Sequence, residues 1–188
     1  MEYNPKLWNE YTDDNRNILE NPSEFIYHVC LSLGANSVLE AGCNVGNSLR
    51  HFPTTMNIQG FDLNDYALKE CQSRYPKFKF KKGSLLEFPY NDNSFDLIFT
   101  RTVLIHIPNE DMEKVMNEML RVSKKWIMNL EFYGKTEEMV KWKRGDDLLW
   151  HRNMEKRWKN FNVEIISDVQ LPEKMDPSQL RLTLIKKL

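Results

Sequence analysis

The sequence has few cysteines and no long apolar run. Its cysteines, Cys30, Cys43 and Cys71, are isolated from one another and form no C-x-x-C pair. This argues against a zinc site and favours a reducing compartment. No apolar run approaches the length that spans a membrane, and residues 1–5 do not start the basic-then-apolar pattern of a secretory signal. These absences predict a soluble, cytoplasmic protein.

Length and composition predict a single globular domain over residues 1–188. Of the 188 residues, 41% are hydrophobic and 12% aromatic, which is enough for a full core. The formal net charge is −1, but residues 1–120 carry 11 basic and 17 acidic side chains, whereas residues 121–160 carry 11 basic and 6 acidic ones. The second segment also holds four of the five tryptophans. It is compatible with an anionic partner and equally with a solvated surface over core tryptophans.

The stretch 37–50 predicts a strand, a tight turn and the start of a helix. Gly42 can take a positive φ and lets a ligand approach the backbone closely. Gly46 would let the helix begin beside the strand, with its unpaired N–H groups pointing into a crevice. The same glycine spacing also occurs at ordinary corners between a strand and a helix.

A second strand, 57–63, ends at Asp62. The separation of Glu40 and Asp62 is that of neighbouring strands in a βαβ unit, and a carboxylate at this position can accept both hydroxyls of a ribose. The alternative is that Asp62 only starts the next turn. Together, the two segments predict a nucleoside-binding crevice.

Five strand-and-helix units followed by two closing strands account for the hydrophobic pattern. Residues 3–20 form a polar arm or lid, Gly34 ends a helix that begins at a cap over 21–24, and Asn64 caps another helix. A helix starting at Pro108 has a methionine-rich stripe that belongs to the core. The insertion 134–160 holds a helix near 148–159. The remaining predicted strands are 78–80, 95–99, 126–130, 161–169 and 180–186, and the last two are predicted to form an antiparallel pair.

These residues resemble the successive motifs of class I S-adenosylmethionine (SAM) dependent methyltransferases. The resemblance rests on Glu40-x-Gly42-x-Asn44-x-Gly46, on Asp62, on Gly83-Ser84 and on residues 93–97. It implies an α/β, Rossmann-like fold with a seven-stranded, mostly parallel sheet, an antiparallel last strand and helices on both faces. It also implies SAM as methyl donor, S-adenosylhomocysteine (SAH) as product, and no metal.

A narrower resemblance is to the methylases associated with pseudaminic acid and related glycan biosynthesis. It is carried by residues 8–17, 40–46, 103–107 and 131–133 and by Arg144-Gly145 with the later Leu148. Ser84 stands where many relatives have an aspartate for the adenine amine. The resemblance implies a small-molecule acceptor, such as a sugar or nucleotide-sugar hydroxyl, amine or carboxylate, and an anionic acceptor is compatible with it.

The resemblance assigns roles to individual residues. Tyr11 and Arg16 would close over the amino-acid end of SAM, with Arg16 meeting its carboxylate, unless they are surface residues of a frayed arm. Asp62 would hold the ribose, and Ser84 with Leu85 the adenine. The full set of predicted cofactor residues is Tyr11, Arg16, Glu40, Gly42, Cys43, Asn44, Gly46, Asp62, Leu63, Ser84, Leu85 and Arg101.

His106 is the predicted general base, because it follows the fourth strand, where ligands bind in such sheets, and an ordinary histidine pKa of about 6.5 leaves it neutral near pH 7. It could instead cap a helix or lie in the interior. Tyr133 is a second catalytic candidate, and Arg144 and His151 are substrate candidates. Arg144 could hold a phosphate or carboxylate, or simply pair with Asp146 or Asp147.

Missing motifs disfavour several reactions. The sequence has no Asp/Asn-Pro-Pro-aromatic element after the fourth strand, where Thr100-Arg101-Thr102 stands, and no Pro-Cys pair. Methylation of a DNA base by those routes is therefore disfavoured. No carboxylate cluster follows the fourth strand to hold a divalent metal. Two other classes stay open: a nucleic-acid-binding protein that uses the basic, tryptophan-rich segment 121–160, and a non-catalytic partner subunit with the same fold.

Overall fold

The structure is a computed structural model that describes residues 3–18, 22–144 and 149–188. Its main sheet contains the strands β1 (Ser37–Ala41), β2 (Asn57–Asp62), β3 (Lys79–Lys82), β4 (Phe95–Arg101), β5 (Ser123–Glu131), β8 (Val163–Gln170) and β9 (Arg181–Lys187), and a small hairpin adds β6 (Glu138–Met139) and β7 (Trp150–His151).

The seven strands of the sheet lie in the order β3-β2-β1-β4-β5-β9-β8. The first five in this order are parallel, and β9 is antiparallel to both β5 and β8. The predicted fold class, including the antiparallel last strand, is confirmed.

Five α-helices accompany these strands in the described part of the chain. They are α1 (Pro5–Asn15), α2 (Ser23–Ser32), α3 (Asp65–Arg74), α4 (Met112–Val122) and α5 (Met154–Trp158), and short 3-10 helices span Asn47–Leu49 and Leu104–His106. None of the helices in these ranges is both long enough and apolar enough to cross a bilayer.

The sheet has a separate apolar core on each face. Successive strand residues point to opposite faces, so Val38 packs with α2 in one core, whereas Leu39 packs with α4 in the other. The second core contains the buried stripe of α4, with Met112, Val115, Met116, Met119 and Val122. The methionines are therefore core residues, as predicted. Trp158 is also fully buried in this core, so it cannot stack on an external base.

Several predicted helices are shorter or differently capped. Only the 3-10 helix Asn47–Leu49 follows the Gly42 loop, because Gly46 takes a left-handed conformation directly before it. The insertion forms β7 before α5 begins at Met154, and α4 begins at Met112 rather than at Pro108. Asn21 lies outside the described residues, and Pro22 is the N-cap of α2. The predicted capping box includes Asn21 and therefore stays a prediction. The Ser23 hydroxyl donates to the Ser48 carbonyl (2.8 Å).

The predicted N-terminal arm is a helix that lies over the sheet. The Asn4 side chain caps α1 by accepting from the Leu7 N–H (3.3 Å). Asn64 caps α3 as predicted, and its side-chain amide donates to the Thr12 hydroxyl (3.2 Å). From β1 the chain adds β2 and β3 toward one edge of the sheet and then β4 and β5 toward the other, so the order of connection changes direction between β1 and β4. Ligands of open α/β sheets bind at such a reversal, outside the carboxyl ends of the strands, and α1 covers that point.

Candidate functional site

A crevice of about 280 Å³ opens at the carboxyl ends of β1, β2 and β4, with α1 above it. Its described lining also includes the 83–86 turn and the segment 101–108. The structure brings most of the predicted site residues together here. Those lining the crevice are Tyr11, Glu40, Gly42, Cys43, Asn44, Asp62, Leu63, Ser84, Leu85, Arg101 and His106.

The Gly42 loop uses its N–H groups within the protein. The N–H groups of Gly42 and Cys43 both donate to the Phe61 carbonyl (2.9 and 3.0 Å), and that of Asn44 donates to Asp62 Oδ2 (2.8 Å). These three N–H groups are therefore not available to a ligand, whereas the N–H groups named in the prediction are those of the helix after Gly46. The φ of Gly42 is +74°, the positive value that the sequence predicted, and a Cβ there would also lie 2.6 Å from a Val103 methyl carbon.

Gly46 serves packing and does not line the crevice. A Cβ there would lie 2.8 Å from the Tyr75 ring and 3.1 Å from Cys71 Sγ, and its φ is +73°. The Cys71 thiol donates to the Asn44 carbonyl (2.9 Å), which holds the loop against α3. Burial raises the pKa of the neighbouring Cys43 thiol. Gly46 therefore allows α3 to approach the loop, which is not the role that its spacing predicted.

Asp62 both starts a turn and lines the crevice. Its Oδ1 accepts from the Asn64 N–H (2.9 Å) and its Oδ2 from the Asn44 N–H (2.8 Å). Burial raises the pKa of this carboxyl group, and the N–H donors oppose that shift. Each carboxylate oxygen has more than one acceptor direction, so these bonds leave capacity for a further donor. The two interpretations of Asp62 are therefore compatible.

Three buried polar atoms of crevice residues have no hydrogen-bond partner among the described residues: Glu40 Oε2, Asn44 Oδ1 and Arg101 Nε. Glu40 is only 3% exposed. Burial raises the pKa of Glu40 to about 8, although the Ser48 hydroxyl and Arg101 act to lower it. An unpartnered buried acceptor or donor costs about 1–3 kcal/mol. These three atoms mark positions where polar groups of a ligand would be stabilised.

Four aromatic rings cluster beside the crevice, and three of them, Trp8, Tyr11 and His106, line it. Trp8 and Tyr11 come from α1, His106 from the 3-10 helix after β4, and Trp142 from the insertion; we call them the aromatic cluster. All six centroid distances among the four rings lie between 5.0 and 6.2 Å. Burial raises the pKa of the Tyr11 phenol. The sequence marked Trp8 and Trp142 only as aromatic residues in polar or basic segments, not as members of a site.

Arg144 lies beside the aromatic cluster but does not line the crevice. Its guanidinium forms an ion pair with Asp14 of α1, and its Cζ is 5.7 Å from the Tyr11 ring centroid and 5.8 Å from that of Trp142. The sequence offered Asp146 or Asp147 as partners, and both lie outside the described residues. Arg144 therefore connects the insertion to α1.

Three predicted site residues lie away from the crevice. Arg16 donates to the Tyr66 hydroxyl (2.6 Å) and pairs with Asp13 (3.0 Å). The Tyr133 ring lies 4.4 Å from the Arg181 guanidinium carbon, and His151 pairs with Glu138 in the small hairpin. Tyr133 and His151 are displaced because the chain turns into the hairpin after β5.

Sequence reasoning missed Glu131, a buried acid at the end of β5. It is 1% exposed, and its Oε2 accepts from the Val103 N–H (3.1 Å). Burial raises its pKa to about 7, opposed by the Thr100 hydroxyl and by N–H groups of the 103–105 turn. Its position after an apolar strand is the same signal that singled out Glu40. Glu131 therefore fixes the turn that carries His106.

Arg152 fastens the insertion to the same turn. It is 1% exposed and donates to the carbonyl groups of Leu104 (3.3 Å) and Ile107 and to the Asn109 side chain. Its charge is balanced by Glu137 at 3.4 Å. In the described ranges, no group of three or more His, Cys, Asp or Glu side chains is placed to hold a metal ion.

A family comparison matches the part of the chain that builds this crevice. The family described as "Methyltransferase domain" matches residues 38–125, from β1 to the start of β5. The likeness to methyltransferase domains thus concerns residues 38–125. The strands whose carboxyl ends open the crevice, β1, β2 and β4, all lie within the matched residues.

Curated relatives resemble the methyltransferase domain over about half of the chain. The sterol 24-C-methyltransferase of Schizosaccharomyces pombe is 30% identical over 111 residues, which cover 50% of this chain and 29% of that protein. Norajmaline N-methyltransferase of Rauvolfia serpentina is 33% identical over 95 residues, covering 46% of this chain and 32% of that protein. The chain thus spans less than a third of the length of these relatives.

Solved structures extend the likeness of fold to almost the whole chain. Magnesium protoporphyrin IX methyltransferase from Synechocystis, solved with bound SAH, has a TM-score of 0.69 at 15% identity, covering 88% of this chain and 82% of that one. A SAM-dependent methyltransferase from Aquifex aeolicus has a TM-score of 0.67 at 14% identity and covers all of both chains. At such low identity the likeness concerns the fold of the methyltransferase domain alone.

Proposed function

We propose that this protein is an enzyme that transfers a methyl group from SAM to a small-molecule acceptor and releases SAH. The observation that carries the proposal is the pair of unpartnered buried atoms, Glu40 Oε2 and Arg101 Nε, in the crevice of a methyltransferase domain. One is an acceptor and the other a donor. The amino-acid end of SAM and SAH offers the complementary pair, an ammonium and a carboxylate.

The remaining lining residues fit the rest of this ligand. Glu40 would hold the ammonium, and Arg101 the carboxylate. Asp62 would accept from the ribose hydroxyls, with Leu63 beside it. Ser84 and Leu85 lie farther along the crevice, where the adenine would rest. In this proposal Arg101 takes the role that the resemblance assigned to Arg16, because Arg16 is engaged with Tyr66 and Asp13.

SAM brings an activated methyl group, so the protein has mainly to position the acceptor. Alignment of the reacting groups can supply roughly 7–11 kcal/mol of barrier reduction. His106 is the crevice residue at the acceptor end that can take a proton from an acceptor group. Glu131 and Arg152 hold the 3-10 helix that carries it. We assign no role in the reaction to Tyr133 or His151, which lie elsewhere.

The proposal treats residues 1–188 as one methyltransferase unit with α1 as its lid and 134–160 as the acceptor-side segment. It places the reaction in the cytoplasm, consistent with the free thiols of Cys30, Cys43 and Cys71. The resemblance to glycan-associated methylases favours a sugar or nucleotide-sugar acceptor. The names of the relatives, which specify a sterol, an alkaloid and a porphyrin, support only the broader class of small molecules.

Calorimetric titration of the folded protein with SAH tests the proposal. We expect binding with one molecule per chain, and incubation with methyl-labelled SAM should label a member of a small-molecule acceptor panel. Absence of heat with both SAM and SAH would overturn the proposal. Cofactor binding without turnover across the panel would instead identify a non-catalytic subunit with this fold.

A further inference from the structure

The aromatic cluster and the acidic lining of the crevice together indicate the charge of the acceptor. The described charged residues that line the crevice, apart from His106, are three acids, Glu40, Asp62 and Asp111, and one base, Arg101. The proposed function gives Glu40, Asp62 and Arg101 to the cofactor, so Asp111 is the charged lining residue, apart from His106, that is left to face an acceptor. A cationic acceptor would be attracted by this carboxylate.

A cation already lies on the aromatic cluster in this structure. The Arg144 guanidinium lies within 6 Å of the ring centroids of both Tyr11 and Trp142, the distance at which a ring quadrupole attracts a cation. The Asp14 carboxylate forms an ion pair with the same guanidinium. The Arg144 side chain is only 12% exposed. Two aromatic rings and one carboxylate thus form a partly desolvated cation site.

The ion pair of Arg144 also bears on the opposite hypothesis, that Arg144 binds a phosphate or carboxylate of the acceptor. The Asp14 side chain, which is 56% exposed, pairs with the guanidinium, so an anion would have to displace that carboxylate. Lys143 also approaches Asp14 (3.5 Å), but its side chain is 74% exposed and its charge is screened by solvent. The local arrangement is therefore better suited to exchanging one cation for another.

We propose that the acceptor is an amine that enters as a cation, and that Tyr11, Trp142 and Asp14 form its binding site, which the Arg144 guanidinium occupies in this structure. The bound ammonium gives one proton to the neighbouring His106 ring, and the freed nitrogen lone pair forms the new N–CH₃ bond as the S–CH₃ bond breaks and SAH leaves. The inference rests on the proposed function and narrows its acceptor class. It makes Trp142 and Asp14 specificity-determining residues. It also assigns Arg144 the part of an internal competitor for the acceptor, not that of an anion-binding group.

A matched series of probes tests the charge preference. Phenethylamine, 2-phenylethanol and phenylacetate share one ring and differ in carrying a positive, neutral or negative group. Binding to the full chain, saturated with SAH, is followed by tryptophan fluorescence and by calorimetry. We expect phenethylamine to bind at least about tenfold more tightly than phenylacetate, the size of effect that one partly desolvated ion pair with cation–π contact supplies.

Variants of the site separate the two roles of Arg144. Arg144→Ala removes the internal cation and should strengthen phenethylamine binding about threefold or more, whereas Arg144→Lys should leave it nearly unchanged. Asp14→Asn should abolish the advantage of the amine over the alcohol. Asp13→Asn is the matched control, since Asp13 is the neighbouring acid but pairs with Arg16 and Tyr66, and it should change nothing.

Other outcomes would contradict either the cationic acceptor or the proposed function. Tighter binding of phenylacetate, lost in Arg144→Ala, would overturn the inference in favour of an anionic acceptor. Equal binding of all three probes, or no binding of any, in a protein that still binds SAH would also overturn it while leaving the proposed function intact. Failure to bind SAH at all would instead reject the proposed function.

Discussion

Glu40 and Glu131 are two buried acids at the ends of parallel strands, and they differ in what their oxygens contact. Both are less than 5% exposed, and burial raises both pKa values, to about 8 and about 7. Glu131 accepts N–H groups of the turn after β4, whereas Glu40 has one oxygen without a partner among the described residues. Burial and a shifted pKa therefore do not by themselves identify a binding group. The unpartnered atom facing a crevice does.

The largest expected difference between the two acids is in stability. Glu131→Ala leaves the Val103 N–H without an acceptor and should lower the free energy of unfolding by about 2–3 kcal/mol. Glu40→Ala removes an acid with an unpartnered oxygen and should lower it by less than about 1 kcal/mol. Urea denaturation at pH 7 measures both, and equal losses would contradict the distinction.

Cofactor affinity should show the reverse ranking. Glu40→Gln should weaken SAH binding by about 1.5–3 kcal/mol, or roughly 10- to 150-fold, through loss of a charge-assisted hydrogen bond. Glu131→Gln should weaken it less than about threefold, because Glu131 does not line the crevice. Calorimetry gives both dissociation constants. A larger effect from Glu131 would transfer the ammonium role away from Glu40.

The pKa of Glu40 predicts a pH dependence with a definite sign. Below about pH 8 the empty site holds a proton on Glu40, which an incoming ammonium must displace. Affinity for SAH should therefore rise with pH by up to about tenfold per unit and level off above pH 8. Proton release on binding, measured in buffers of different ionisation enthalpy, should disappear in Glu40→Gln. A flat profile in the unmodified protein would contradict a binding role for this carboxylate.

Asp62 should contribute both to stability and to cofactor binding, with a smaller effect on stability than Glu131 has and a smaller effect on binding than Glu40 has. Its oxygens accept the N–H groups of Asn44 and Asn64, and it also lines the crevice. Asp62→Asn keeps the shape but loses the charge, so we expect about 1 kcal/mol less stability and about 1 kcal/mol weaker SAH binding. Denaturation and calorimetry on one preparation measure both. A variant that loses only stability would reduce Asp62 to a turn-forming residue.

The sequence could indicate the fold because its signals are local. Alternation and apolar runs identify strands, the stripe of α4 identifies a helix, and Gly42 marks a corner whose φ is indeed positive. Motif spacing also grouped most crevice residues correctly, since β1, β2 and β4 end at one edge of a parallel sheet. Three candidates lie elsewhere: Arg16 ends α1 and pairs with Asp13 and Tyr66, whereas Tyr133 and His151 belong to the segment that turns into the small hairpin after β5.

By itself, then, the sequence determined the α/β order and the acidic residues at the strand ends, because these follow from hydrophobic period and from spacing within one βα unit, whereas the antiparallel last strand was implied by the family resemblance. Only the tertiary structure decided which polar atoms remain unpartnered, that the loop N–H groups are already used, and that Trp8, Tyr11, His106 and Trp142 meet. Those outcomes depend on contacts between segments as many as 134 residues apart, from Trp8 to Trp142. No local sequence pattern predicts which of these distant side chains will hydrogen-bond or pack against one another.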